Sequence, residues 1–312
     1  MILTVTLNPC LDQQLFVEKL LVGDTNRVVS TQADAGGKGV NLSRVAGALG
    51  AQTTAIGFLG GSIASRYQSL LTDACITLKM TTISGETRTN YSIETNDGTP
   101  PTTFNSSGPM ISEEEWSALK SSLTALAAKA KWVCLCGSVP PGIDKGAYAE
   151  LGKIARSAGA KLLIDADGEV LTKGMTAVPD MIKPNRHEAE RLLGRELNSE
   201  SDLSAAILEL ESKLAPGGIA LISLGDDGAI CCFEGKIYRG YSPDIEPVSS
   251  IGAGDSMLGG FLAALTRGLS VPDSLQWGLA AGAATATTDG SRIGSASTIE
   301  LLFDDARVEQ VN

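Results

Sequence analysis

Histidine is almost missing from this 312-residue chain, with His187 the sole example. A His-Glu-x-x-His zinc site therefore cannot be assembled, and a Ser-His-Asp triad would have to run through that one ring. If the chain catalyses a reaction, its general base is expected to be a carboxylate. Positive charge is the minority sign, 25 Lys and Arg against 36 Asp and Glu, for a net charge of −11. So acidic a chain is a poor partner for a phosphate backbone, and nucleic acid is not expected. A site for an anionic ligand has to be a local positive patch. No apolar run approaches the roughly 18 residues of a membrane span, so no membrane is expected. The opening MILTVTLNPC has neither the basic start nor the apolar stretch of a signal peptide, and it reads as a first strand. None of the six cysteines forms a Cys-x-x-Cys pair. Buried strand thiols in a reducing, cytoplasmic setting are expected.

What the chain does have is apolar side chain, 43% of residues, enough to exclude a disordered polymer. Short apolar runs alternate with amphipathic segments. Strands are expected at 2–7, 54–59, 132–136, 161–164, 181–182, 218–224 and 229–233. Helices are expected at 40–49, 62–72, 112–130, 146–157, 186–193, 201–214, 256–266 and 272–287. Several strand runs are apolar throughout, as strands covered on both faces are. The fold class expected is α/β, one mainly parallel sheet sandwiched by helices, as a single domain over residues 1–312. Two β-rich segments, about 12–35 and 80–106, interrupt the alternation. They read as insertions forming one small β appendage, with Asn96-Asp97-Gly98 as a hairpin turn.

Five segments could carry chemistry. Residues 250–260 place a glycine loop, Gly252-Ala253-Gly254, ahead of an apolar helix, aiming backbone N–H groups at an anion with Asp255 alongside. Asp255 is either a base beside a charge-stabilising site or a helix N-cap. Met257 stands where a dinucleotide fingerprint needs its third glycine, and Gly39 follows Lys38 where a phosphate-binding P-loop needs Ser or Thr. Gly36-Gly37-Lys38-Gly39-Val40-Asn41 offers close backbone approach, a cation and an amide. Lys183-Pro184-Asn185 with Glu188 supplies oxygen donors three residues apart, suited either to Mg²⁺ or to capping a helix. Ser223, Gly225 and Gly228 tie a turn between two strands. Arg88 and Asn90, with Asp12 at the end of the first strand, could meet a phosphate and sugar hydroxyls.

In this order and register, these segments resemble the ribokinase-like carbohydrate kinases, the PfkB family, over essentially the whole chain. The resemblance implies phosphoryl transfer from ATP to a sugar hydroxyl, a β-sheet lid and a homodimer through that lid. It implies Asp255 as the base, with the N–H groups of Gly252, Ala253 and Gly254 as the anion hole. Lys183, Asn185, Ser223, Gly225, Gly228 and Gly254 would bind the nucleotide. Asn185 and Glu188 would organise Mg²⁺ through water. Asp12, Gly37, Lys38, Asn41, Arg88, Asn90, Asn105 and Asp255 would bind the sugar. A K⁺ ion near Ser249, Ile251 and residues 285–292 is a weaker implication, since no diagnostic ligand set is present. Thr87-Arg88-x-Asn90 resembles the family members acting on sugar phosphates. Thr103-Phe104-Asn105-x-Ser107-Gly108, Arg186 after Pro184-Asn185, and residues 254–260 look most like members that phosphorylate D-fructose 1-phosphate at its 6-hydroxyl. Members acting on tagatose 6-phosphate or fructose 6-phosphate are the alternatives, with a non-catalytic sugar-phosphate-binding protein further off.

Overall fold

The first strand, β1 (Ile2–Thr6), is buried at every position, the environment its unbroken apolar run demands. The structure, a computed structural model, describes all residues but Asp73, Gly98, Pro100 and Asn312. After β1 come β2 (Cys10–Val17), β3 (Val28–Gly36), α1 (Lys38–Ala48), β4 (Thr53–Gly60), α2 (Ile63–Ser69), β5 (Thr77–Ile83), β6 (Arg88–Thr95), β7 (Thr102–Phe104), α3 (Glu113–Ala127) and β8 (Trp132–Cys136). The second half holds α4 (Ala147–Ser157), β9 (Lys161–Asp165), α5 (Gly168–Gly174), β10 (Met181–Ile182), α6 (Arg186–Leu193), α7 (Glu200–Glu211), β11 (Ile219–Ser223), β12 (Ala229–Phe233) and β13 (Lys236–Tyr241). It ends with α8 (Ala253–Thr266), α9 (Val271–Ala286), α10 (Ala296–Leu302) and β14 (Arg307–Gln310).

Ten strands form one sheet in the order β14-β13-β12-β11-β10-β9-β8-β1-β4-β5. Pairing is parallel from β5 through β11 and antiparallel from β11 to β14. Successive side chains leave opposite faces and build two cores. Leu3, Val5, Val133 and Leu135 join the layer that includes Leu119, Tyr148 and Leu151 of α3 and α4. Ile2, Trp132 and Cys134 join the layer that includes Leu42, Leu258 and Leu279 of α1, α8 and α9. Helices α8 and α9 touch closely at Gly260, where an added Cβ would lie 2.5 Å from the Trp277 carbonyl oxygen. No helix among the described residues is long and apolar enough to cross a membrane.

A separate four-stranded sheet has the order β3-β2-β6-β7, with β2 antiparallel to β3 and parallel to β6. Its two halves come from the interrupting segments, with one correction. Residues 80–83, read as part of the appendage, belong to β5, which pairs with β4 at the edge of the large sheet. Half-exposed, β5 alternates polar and apolar residues and so lacks the apolar run of an inner strand. Strands β13 and β14 escaped notice for the same reason. Strands β6 and β7 pair antiparallel; the expected Asn96-Asp97-Gly98 turn between them lies partly outside the described residues. All six cysteines are free thiols, and all but Cys75 are buried.

Candidate active site

From β1 the chain runs to β4 and β5 on one side and later to β8 through β11 on the other. Such a reversal leaves a crevice beyond the carboxyl ends of the strands, where ligands of open α/β sheets bind. The first turns of α1 and α8, the ends of β9 and β10, and one face of the small sheet converge there.

Helix α1 reaches this point through glycines. Gly37 takes φ +129° as its N-cap, and a Cβ there would lie 2.8 Å from the Thr6 methyl carbon. Lys38 and Asn41 thus emerge at the crevice floor. Alternate residues of the small sheet face it: Cys10, Asp12 and Gln14 on β2, in register with Gly36, Asp34 and Gln32 on β3 and with Arg88, Asn90 and Ser92 on β6. Asp12 Oδ1 accepts from Asn90 Nδ2 at 3.0 Å and from the Cys10 thiol at 3.1 Å. Burial pushes the Asp12 carboxyl up, against the pull of those two bonds and of Arg88. The Arg88 guanidinium is itself pinned, donating to the Asn8 carbonyl at 3.2 and 3.0 Å and to the Ser106 carbonyl at 2.7 Å.

Helix α8 begins at Ala253, three residues before its expected start at 256. Its N-cap is Gly252, in the left-handed region at φ +78°. Asp255 is therefore in the first turn and is not the cap, which removes the capping alternative for its carboxylate. The first intrahelical bond runs from the Ser256 N–H to the Gly252 carbonyl at 2.9 Å, so the Gly254 and Asp255 N–H groups lie ahead of the ladder. The Ala253 N–H is turned back onto the Ser250 carbonyl at 3.3 Å. Asp255 is 8% exposed, and its Oδ2 accepts from Asn41 Nδ2 at 3.0 Å. Burial raises its carboxyl to about 6; Asp165 adds to the rise, while Lys38, Asn41 and Lys183 oppose it.

Asp165, at the end of β9, was assigned no role from the sequence. It is 1% exposed and lies between two ammonium groups, Lys38 Nζ at 3.4 Å and Lys183 Nζ at 3.5 Å. Burial alone would push its carboxyl up, but Lys183 and Lys38 outweigh it and hold the group below the usual carboxylate range. Asp165 in turn holds Lys38 well above the usual lysine range, against burial. Lys38 is thus held as a cation inside an acidic protein, and with Lys183 on the other side of Asp165 it forms the local cationic cluster that the charge balance required. Lys183 Nζ would stand 3.3 Å from a Cβ on Gly254.

Three cavities meet at these residues. One of about 300 Å³ is lined by Asp12, Asn41, Arg88, Asn90, Asn105, Gly252 and Asp255 among others. A second, of about 530 Å³, shares Gly37, Lys38, Arg88, Asn90 and Asn105 with it and adds Ser138 and Lys145, neither of which the sequence singled out. The third, about 600 Å³, is lined by Lys183, Asn185, Ser223, Gly225, Gly254 and an apolar wall including Ile245, Met257, Leu279 and Ala283. Lys38 and Asp255 line both the first and the third.

Two expectations are revised in detail. Gly228 is not at the wall of the third cavity. It turns the β11–β12 connection at φ +91°, where a Cβ would overlap the Gly240 carbonyl, so its role is in the turn. Asn185 and Glu188 form a capping box on α6: Asn185 Oδ1 accepts from the Glu188 N–H and Glu188 Oε2 from the Asn185 N–H, both at 2.8 Å. Among the described residues no group of three or more His, Cys, Asp or Glu side chains could hold a metal directly. What Asn185 and Glu188 still offer is the second carboxylate oxygen and spare lone pairs, all oxygen. That donor set fits an ion kept largely by waters and phosphates.

The pfkB family carbohydrate kinase model matches residues 5–298. The chain is 36% identical to a 1-phosphofructokinase of Borreliella burgdorferi over 92% of both proteins. It is 32% identical to the 1-phosphofructokinase of Escherichia coli strain K12, over 98% of this chain and 96% of that one. A crystal structure of phosphofructokinase-2 from Escherichia coli in complex with substrates and products has a TM-score of 0.92 at 27% identity, covering 97% of this chain and 98% of that one. The fold and the relatives are those of an ATP-dependent sugar kinase. More particularly, the chain belongs to the pfkB family of carbohydrate kinases.

Proposed function

We propose that this kinase transfers the γ-phosphoryl group of ATP to the 6-hydroxyl of D-fructose 1-phosphate, giving fructose 1,6-bisphosphate and ADP. The observation that carries the reading is the position of Asp255 and Lys38 at the junction of the two cavities. An acceptor hydroxyl in one cavity and a γ-phosphate in the other would meet beside them. Asp255 takes the hydroxyl proton as the oxygen attacks phosphorus, and the bond from phosphorus to the β–γ bridging oxygen breaks as ADP leaves. The N–H groups of Gly252 and Gly254 and the ammonium of Lys183 face the charge that accumulates on the phosphoryl oxygens, while the expected Ala253 N–H is spent on the Ser250 carbonyl. Asp12, Gly37, Asn41, Asn90 and Asn105 hold the sugar. Arg88 meets the phosphate already on it. Asn185, Ser223 and Gly225 hold the nucleotide. Mg²⁺, held through water by Asn185 and Glu188, would neutralise charge on the ATP phosphates. A K⁺ ion near Ser249 would have to share carbonyls already in use, since Gly290 O accepts from Ser249 Oγ and Arg292 O from Thr288 Oγ1, both at 2.7 Å.

The name shared by the two sequence relatives supports fructose 1-phosphate as the acceptor. The cluster of Arg88, Lys38 and Lys145 around the second cavity supports an acceptor that is itself anionic. The small sheet acts as the lid of the sugar cavity. Its outer face carries Tyr91, 45% exposed, opposite Phe104, 56% exposed, an apolar surface suited to a second copy of the chain in a cytoplasmic homodimer. The test is ADP release with Mg-ATP against fructose 1-phosphate, fructose 6-phosphate, tagatose 6-phosphate and free fructose. A preference of about tenfold or more in kcat/KM for fructose 1-phosphate is expected. Preference for a 6-phosphate would overturn the substrate assignment and leave the base and nucleotide cavity in place.

A further inference from the structure

We infer that Gln14 is a positioning residue for phosphoryl transfer, because it latches the small sheet to the loop that carries Gly290 and Ser291, and through it to the anion-hole loop; the inference rests on the sugar cavity proposed above. Gln14 lies mid-strand in β2, only 1% exposed, on the face that carries Asp12 toward the sugar cavity. Its neighbours on that face bond within the sheet, Asp12 with Asn90 at 3.0 Å and Gln32 with Asp34 at 2.8 Å. Gln14 instead crosses the cleft, and its Nε2 donates to Ser291 Oγ at 3.2 Å. Ser291 Oγ donates in turn to Asp34 Oδ2 at 3.4 Å, so residues of two adjacent strands hold one hydroxyl.

The receiving loop is shaped for this contact. Gly290 has φ +61°, and a Cβ there would overlap the Gln14 amide. The same loop reaches the helix that bears Asp255. The Gly290 carbonyl accepts from Ser249 Oγ at 2.7 Å, and Ser249 Oγ accepts from the Ile251 N–H at 3.3 Å. Gln14, Ile251, Gly252, Asp255 and Ser291 all line the sugar cavity. The Arg88–Asn8 contact anchors the sheet near the start of β2. The latch anchors it four residues further along, roughly 13 Å at strand spacing. Anchorage at both places rather than near the start of β2 alone, where Tyr67 Oη also donates to the Gly36 carbonyl at 2.9 Å, fixes the separation of Asp12 from Asp255, and with it the placement of the acceptor hydroxyl against the base.

The experiment uses Gln14→Met, Ser291→Ala, the double variant and Ser291→Thr. Each of the first two is expected to lower kcat/KM for the sugar phosphate about fivefold with the KM for ATP unchanged. The double variant should be no worse than the weaker single. Ser291→Thr, which keeps the hydroxyl, should recover most of the activity. A purely structural contact would lower the melting temperature and leave kcat and the sugar KM alone. That result, or multiplicative losses in the double variant, would overturn the latch. Amide exchange over Val28–Gly36 gives a readout independent of turnover and should speed up in both single variants; unchanged exchange counts against the latch. A wild-type enzyme inactive on every sugar phosphate would count against the proposed function instead, leaving the exchange measurement to decide the latch. Should Gln14→Met fail to fold, Ser291→Ala, which removes one hydroxyl, carries the same comparison.

Discussion

Replacing Asp255 by Asn should separate catalysis from stability in opposite directions. Asn keeps the side-chain volume and can still accept from Asn41 Nδ2, which lies 3.0 Å from the carboxylate. It cannot take a proton from the acceptor. A positioned general base is worth about 10²–10⁴ in rate, so kcat should fall on the order of a thousandfold. Stability should not follow. Burial lifts the Asp255 carboxyl to about 6 in the fold, with Asp165 adding and Lys38, Asn41 and Lys183 opposing, against about 3.9 in an unfolded chain. A raised carboxyl stabilises the fold fully below the unfolded value, and that contribution is lost as pH rises through about 6. At pH 7 the ionised group therefore costs the fold about 3 kcal/mol, and Asn removes that cost. The variant is expected to melt at or above the wild-type temperature at pH 7, with the gap closing toward pH 4. Wild-type kcat/KM should climb with an acid limb near pH 6, and that limb should vanish from the residual activity of the variant. Coupled ADP-release assays across pH, with melts on the same samples, measure both. A variant within tenfold of wild-type kcat would refute Asp255 as the base, and a large drop in melting temperature would refute the account of its burial.

Lys183→Met should destabilise the ligand-free protein in urea titrations, by less than the about 3–5 kcal/mol of a buried charge left wholly unpaired, because Asp165 is 1% exposed and would still keep Lys38, at 3.4 Å, as partner; an unchanged stability would show that the pair is not coupled to the fold. Asn41→Ala removes a bond that favours the ionised form of Asp255, so the acid limb of kcat/KM should move to higher pH, and an unmoved limb would separate Asn41 from the base. Phe104→Glu should shift the proposed dimer toward monomer in sedimentation at micromolar concentration, since it sets a charge on the exposed face opposite Tyr91; an unchanged sedimentation profile would point to another interface or none.

Local backbone requirements were the most legible part of this site. The runs Gly36-Gly37-Lys38-Gly39 and Gly252-Ala253-Gly254-Asp255 announce tight turns into helices because few other residues tolerate those turns. Both turns are where the spacing put them, at the starts of α1 and α8. Inner strands were legible because burial on both faces leaves a continuous apolar run. The edge strand β5 and the next-to-edge strand β13 were not, since a half-wet strand such as Lys236–Tyr241 mixes Lys, Tyr and Arg with its apolar residues. Helix α8 was read as starting at 256 because its apolar period becomes visible only from Met257, whereas its true start is set by a left-handed glycine.

Asp165 shows why the remainder was hidden. In sequence it is one acid at the end of an apolar strand, with nothing nearby to mark it. Its role depends on Lys38 from the first helix and Lys183 after β10, brought together because β9 and β10 are parallel neighbours at the crevice. Gln14 is similar: a glutamine in a polar strand becomes notable only when topology sets it against Ser291, near the other end of the chain. The rule that open parallel sheets bind ligands beyond their strand ends would have flagged Asp165 by position alone, one residue past an expected strand. No comparable rule flags Gln14, because the loop that receives it follows α9 and its placement depends on how α8 and α9 pack. The motifs therefore point to candidate reacting groups, while the electrostatics and spacing that would make them react come from tertiary contacts that no local pattern encodes.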